Sequence, residues 1–436
     1  MLGVLHQDFE SILGSLTLLY EDTNSRIQAD DYSLTLILVG IYLTMRLVAY
    51  YQTENIQFYH SKTSKRMNDF LQKTKIREHK YTPHWVTLNG AVQCIMFIAV
   101  EIILKLVYPI KYEREMFQLS DGGTIAIDWV IDHEGGKPKR LSQRPIICLM
   151  SGLSGGNDNL YLYSMMKEAQ KVGYKCVVIN YRGTAGVKIT SRKLYWMNGW
   201  RDLKEPIDYI HSQYCSGDDV QSRNLYAYAV SLGGGMLTLY LCNEGDKTPL
   251  SGAISYGMPH NLKNNVSFFR RNCFGFFDFS MGLLYSLVLQ HELMPELKKY
   301  ISEETYNDLQ IKIKQNRFSL MDMDQQVMIP YMVGNNDLDK YYEETSAQGK
   351  LHKIKVPTFF MGALDDPCIN ETTYPFKEFE NNENIIAGFT KRGGHASHFT
   401  GGFRPVSWYP APLLEFFEFL ENEKRAAKNL TPSCQK

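Results

Sequence analysis

From about residue 115 onward, short runs rich in β-branched and aromatic residues alternate with helical segments, and this alternation leaves few architectures open. The runs are GTIAIDWV, RPIICLM, KCVVINY, NLYAYAV, LSGAISYGM, VPTFFMG and NIIAGFT. Strands separated by helices run parallel, so the expectation is an α/β domain whose mostly parallel sheet carries helices on both faces. Between Tyr256 and Lys355 the alternation stops, and a helical stretch rich in Met and Phe takes over. An insertion of that size in such a domain usually forms a cap over the site. The organisation expected is an N-terminal region over 1–110, an α/β domain over 111–436, and a cap insertion at about 256–355.

The run NLYAYAV-SLGGG-MLTLYL reads as strand, sharp turn and helix, with Ser231 at the turn and Gly233, Gly234 and Gly235 opening the helix. A tight strand-to-helix turn lifts a serine hydroxyl clear of the backbone, and small neighbours permit the strain. The helix N-terminus then faces negative charge as it develops. Ser231 is therefore the candidate nucleophile, although Ala229 stands where the G-x-S-x-G pattern has its first glycine. A literal G-x-S-x-G surrounds Ser154, directly after RPIICLM. Its place after an early strand suits a loop that supplies an oxyanion donor, so the amides of Leu153 and Leu232 are the expected oxyanion hole.

After VPTFFMG comes Ala363-Leu364-Asp365-Asp366-Pro367, where a carboxylate could orient a base. Asp365, three residues after Gly362, is the expected orienting acid, with Asp366 capping or bracing the turn. After NIIAGFT, paired glycines before His395 leave room for an imidazole to reach Ser231, so His395 is the expected base and His398 its competitor. Taken singly, a Gly-rich turn, two turn-forming acids and a lone histidine are ordinary structural features. Together, Ser231, Asp365 and His395 follow the order Ser, Asp, His, each just past a strand, as the α/β-hydrolase fold requires. Such chemistry needs no metal and no organic cofactor. Within the cap, Phe268, Phe269, Phe274, Phe276, Met281 and Leu283 are candidate acyl-chain contacts, and ordinary core packing would use the same residue types.

Ser33 to Tyr51 is an apolar run whose only charge is Arg46, about the ~20 residues needed to cross a bilayer. Arg46 lies near one end, where its stem can snorkel to the headgroups. Before this run only Arg26 is basic, whereas Lys62, Lys65, Arg66, Lys73, Lys75 and Arg77 follow it. That asymmetry places the catalytic part in the cytosol. Sequons at Asn265, Asn370 and Asn429 would matter only in a lumen. A second apolar stretch, 91–110, carries Glu101 and Lys105 on one helical face and reads as interfacial or packed. Lys and Arg total 47 and Asp and Glu total 47, so no basic excess exists to track nucleic acid. Eight cysteines form no CxxC pair and no zinc-like spacing, and read as free thiols.

With these residues placed, the chain resembles the YheT-like subfamily of the AB hydrolase superfamily, which includes membrane-anchored lipid esterases. The resemblance spans roughly 81–425 and rests on PHWVTLNGAVQ, DGGTIAIDW, SGLSGGNDNLY, NYRGTAGVKIT with RKLYWMNGWRDL, AVSLGGG, DLDKYYEETS, IKVPTFFMGALDDP and GGHASHFTG. Members usually carry Thr or Ser where Ser154 stands, which implies an oxyanion-loop role for that position. The resemblance also implies one N-terminal membrane segment and hydrolysis of phospholipid, acylglycerol or short- to medium-chain acyl esters. It implies a structural role for the Tyr341–Tyr342 pair. Some relatives transfer acyl groups to alcohols, but an H-x-x-x-x-D signature seen in them is missing here. The function expected is a serine esterase acting on a lipid ester at a bilayer. An alcohol acyltransferase and a membrane-assembly subunit without catalysis are the alternatives.

Overall fold

The computed structural model describes residues 29–107, 110–139, 142–153, 155–216, 222–288, 293–299, 301–333 and 337–430. Nine strands form one sheet: β1 (Gln57–His60), β2 (Tyr112–Gln118), β3 (Thr124–Val130), β4 (Ile146–Met150), β5 (Lys175–Asn180), β6 (Leu225–Val230), β7 (Gly252–Tyr256), β8 (Thr358–Ala363) and β9 (Ile385–Thr390). Their spatial order is β1-β9-β8-β7-β6-β4-β5-β3-β2. The pairs from β5 through β9 are parallel, while β1, β2 and β3 join antiparallel. Strands β4 to β9 are buried along their whole length because helices cover both faces. One face packs on Leu203, Ile207 and Leu237 from helices Arg201–Tyr214 and Leu232–Glu244. The other packs on Leu162, Met165 and Phe416 from helices Leu160–Lys171 and Pro410–Leu430.

Strand order reverses at β4, which is followed by β5 on one side and flanked by β6 on the other. At such a switch point the loops leaving two neighbouring strands diverge and open a crevice. Pairing of Met150 with Ala229 sets the loop after β4 beside the turn after β6, which brings Leu153 and Ser231 together.

The N-terminal region is not separable from this sheet. β1 pairs with β9 through Gln57–Phe389 to His60–Ile386, so the division expected at residue 110 leaves an edge strand on the wrong side. Behind it, helix Lys65–Lys73 is capped by Ser64, whose hydroxyl accepts from Met67 N–H. This helix buries Met67, Phe70 and Leu71, and the Phe70 ring meets Phe359, Phe416 and Phe419 at 5.2 to 6.2 Å. Sequence gave no warning of β1, a four-residue strand without clear alternation.

Ahead of this region stands α1 (Ala29–Tyr51), with Leu36, Ile37 and Leu38 each more than half exposed. Among the described residues it is the one helix long and apolar enough to cross a membrane. Its C-terminal half rests on the loop after the last long strand. Tyr42 stacks on Phe403 at 4.5 Å, and Arg46 donates to Gly401 O at 2.9 Å rather than standing free. The second apolar stretch forms α2 (Gly90–Val107).

Between β7 and β8 the chain folds into helices Leu262–Phe269, Phe276–Val288, Glu303–Lys314 and Leu338–Thr345, with a π-helical turn at Asp324–Val333. They share a small core of their own, built on Leu297, Leu309, Ile313 and Val327 and closed by Ile189 and Leu194. A chain begun at residue 112 is expected to lose cooperative unfolding, because β1 and the Phe70 cluster go with it. One begun at residue 53, which lacks α1 and the residues before it, should keep it. Thermal melts by circular dichroism decide. Phe70→Ala alone should cost about 3–5 kcal/mol.

Candidate active site

The turn at Ser231 is strained in the way a nucleophile elbow demands. Its φ of 54° and ψ of −122° are rare for a residue with a side chain, and the strain projects Oγ into the crevice. Small neighbours make the turn possible. A Cβ on Gly233 would lie 2.2 Å from Ser151 O, and one on Gly235 would lie 2.7 Å from Met197 Sδ. Ala229 is fully buried in β6, where its single methyl is accommodated.

His395 Nε2 lies 2.9 Å from Ser231 Oγ. Its Nδ1 donates to Asp366 Oδ2 at 2.8 Å, which leaves Nε2 free to accept the serine proton. The carboxylate that meets the imidazole is thus Asp366 and not Asp365, a correction to the expectation. Two adjacent residues in a turn point in different directions, and here the second faces the imidazole. Asp366 is buried, and its other oxygen accepts from Cys368 N–H at 2.7 Å. Asp365 instead accepts the Gly394 amide at 2.9 Å, and burial raises its carboxyl to about 6.

Burial disfavours the charged imidazole of His395, but the Asp366 charge and hydrogen bond outweigh it, so the ring is more basic than an ordinary histidine. His398 is excluded as base. It is fully buried, with Nδ1 2.6 Å from Tyr256 Oη and Nε2 2.7 Å from Thr390 Oγ1, and burial lowers it to about 3.

Leu153 and Leu232 both line the crevice beside Ser231 and His395. Leu232 is the first residue of its helix, where an N–H has no acceptor within the helix. The neighbouring Gly152 amide is already spent on Tyr161 Oη at 2.9 Å. Ser154 lies outside the described residues.

A cavity of about 220 Å³ opens from Ser231 toward the helical insertion. Its apolar wall includes Leu153, Trp196, Met197, Val266, Phe269 and Met281. Of the six expected acyl contacts, the structure brings in Phe269 and Met281 and not Phe268, Phe274, Phe276 or Leu283. Phe274, Phe276 and Leu283 are exposed, and Phe268 faces a separate surface hollow with Arg271 and Asn272. Composition marked the insertion as apolar but could not say which face of each helix turns inward.

Sequence reasoning also missed the charged residues of this wall, Arg270, Asp278 and Asp324. Asp324 accepts from the hydroxyls of Tyr341 at 3.0 Å and Tyr342 at 3.4 Å, and burial raises it to about 6. The tyrosine pair was the available signal. Asp366, Cys368 and His395 bring three possible metal donors within 4.8 Å of one another. An ion could use them only by breaking the bond that orients the base.

Fold and site together have the form of a serine hydrolase, and the similarities to known proteins support the AB hydrolase superfamily. No protein-family model matches the chain. Among known proteins it is similar to the mouse "Phospholipase ABHD3", at 28% identity over 296 residues, covering 67% of this chain and 68% of the relative. The Saccharomyces cerevisiae "Medium-chain fatty acid ethyl ester synthase/esterase 2" is 25% identical over 400 residues, covering 78% and 85%. The "Monoacylglycerol lipase" of the same yeast is 23% identical over 371 residues, covering 76% and 78%.

Asp366→Asn should lower kcat by up to ~10⁴, because the imidazole then holds the wrong tautomer. Asp365→Asn should cost far less, and the reverse ranking would return the role to Asp365. The base works only when neutral, so activity should fall as pH drops through a value above the ordinary histidine 6.5. An acid limb of kcat/KM at or below that value would contradict the raised basicity.

Proposed function

We propose that this protein hydrolyses carboxylic esters of lipids through an acyl-enzyme on Ser231. The observation that carries the reading is the hydrogen-bonded chain Ser231–His395–Asp366 opening onto a largely apolar cavity. Ser231 Oγ attacks the ester carbonyl as His395 takes its proton, and the Leu153 and Leu232 amides receive the oxyanion. His395 then protonates the leaving alcohol. Water, deprotonated by the same imidazole, releases the acid and restores the serine. Phospholipid, acylglycerol and short- to medium-chain acyl esters are the substrates that the relatives' names and the cavity support. The narrower YheT-like grouping rests on the motif series.

Acyl transfer to an alcohol is the second reading, favoured by the ethyl ester synthase/esterase among the relatives. A membrane-assembly role without catalysis would not require the serine, imidazole and carboxylate to be in hydrogen-bonding register.

We further read α1 as a bilayer anchor with the catalytic part in the cytosol. In support, the Asn265 sequon is unsuited to a glycan. Its side chain is buried, and Oδ1 accepts from the Asn370 amide at 2.8 Å.

Purified full-length protein should release free fatty acid from phosphatidylcholine vesicles or from monoacylglycerol, and Ser231→Ala should release none. With ethanol present, the ratio of ethyl ester to free acid separates the two enzyme readings. Ethyl ester as main product would favour transfer, and no acyl release from any lipid ester would overturn both. Full-length protein should also resist alkaline carbonate extraction, and release would overturn the anchor.

A further inference from the structure

Helix α2 presents one face to both halves of the active site. At its first residue, Gly90, a Cβ would lie 2.1 Å from Asp365 O and 2.9 Å from the Asp365 carboxyl carbon. Asp365 in turn holds the amide of Gly394, the residue before the base, and a Cβ on Gly394 would lie 2.6 Å from Gly90 O. Within the next turn, Cys94 Sγ accepts the amide of His395 itself at 3.2 Å. Gln93 Oε1 accepts the Phe399 amide at 3.0 Å. The segment carrying the base is thus held at residues 394, 395 and 399.

The same face then reaches the oxyanion side. Phe97 stacks on Tyr161 at 5.6 Å, and the Tyr161 hydroxyl accepts the Gly152 amide. Glu101 accepts from Asn159 Nδ2 at 3.2 Å and from Leu160 N–H at 3.3 Å, at the start of the helix that follows the oxyanion loop. Asn159 Oδ1 itself accepts the Gly156 amide at 2.8 Å. A carboxylate on a largely apolar helix is costly unless partnered, and these contacts account for it. Residues 90, 93, 94, 97 and 101 fall on one helical face by their spacing. On other faces, Ile95, Ile103 and Val107 are each at least half exposed.

We propose that α2 is a positioning element of the active site, which holds the His395 loop through Asp365 and Cys94 and the oxyanion loop through Phe97 and Glu101. None of these residues meets the substrate. They act through the base and through the Leu153 amide. The proposal rests on Ser231, His395 and Asp366 being the triad.

The test uses full-length protein in detergent and a soluble short-chain ester. Asp365→Ala and Glu101→Ala should each lower kcat by about tenfold or more while KM stays within about twofold, since a misplacement near 1 Å can cost ~10² in rate. Asp365→Asn and Glu101→Gln keep an acceptor oxygen and should recover most of the loss. Wild-type kcat in both alanine variants, with cooperative melting intact, would overturn the proposal. Should the alanine variants fail to fold, Phe97→Leu and Cys94→Val decide by the same split. A several-fold loss in kcat at constant KM supports the brace, and wild-type values overturn it. Failure of the triad reading looks different: Ser231→Ala would retain turnover.

Discussion

The backbone at Ser231 is the constraint around which the site is arranged. Holding a residue with a side chain at φ 54° and ψ −122° costs on the order of 1–3 kcal/mol, and the surrounding structure must over-determine it. It does so from two directions. Ser231 N–H donates to Tyr256 O at 2.9 Å on the neighbouring strand, and Gly235 N–H donates to Ser231 O at 3.1 Å inside the helix. The close passage of Ser151 O and the Tyr181 hydroxyl over Gly233 closes the remaining space. A turn locked this way aims Oγ at His395 and turns the Leu232 amide toward the same point. The position of Leu153 follows from the pairing of β4 with β6.

Residues 29–107 take part in this arrangement. They contribute the edge strand β1, the aromatic cluster around Phe70, and α2, whose inner face meets the base loop and the oxyanion loop. The same region supplies α1, which rests on Gly401 and Phe403 only a few residues beyond the base. The helix long and apolar enough to cross a membrane and the residues that hold the His395 loop are therefore neighbours along one stretch of chain.

Much of this was legible in the sequence, for reasons that differ by element. Parallel strands buried on both faces leave apolar runs, so β4 to β9 could be read directly. Ser231 and His395 could be read because their glycines are required by geometry, whatever the neighbouring residues. The choice between Asp365 and Asp366 could not. Which of two adjacent carboxylates faces the imidazole depends on the path of the turn after β8, and spacing from Gly362 does not carry that. Glu101 could be read only as a charge sharing a helical face with Lys105, because its partners at Asn159 and Leu160 are far away in sequence. The insertion hid its inward faces for the same reason, so that Phe269 and Met281 reach the cavity while Phe274 does not.

The central claim is that Ser231 is the activated nucleophile, made reactive by its place in the turn and not by agreement with a local pattern. Treatment of the folded full-length protein with a fluorophosphonate, followed by peptide mapping, addresses it directly because the probe reacts with an activated serine whatever the natural substrate. The account requires a single adduct on the peptide containing Ser231, lost in Ser231→Ala and retained in Ser154→Ala. An adduct on Ser154, or a folded protein that takes up no probe, would contradict it.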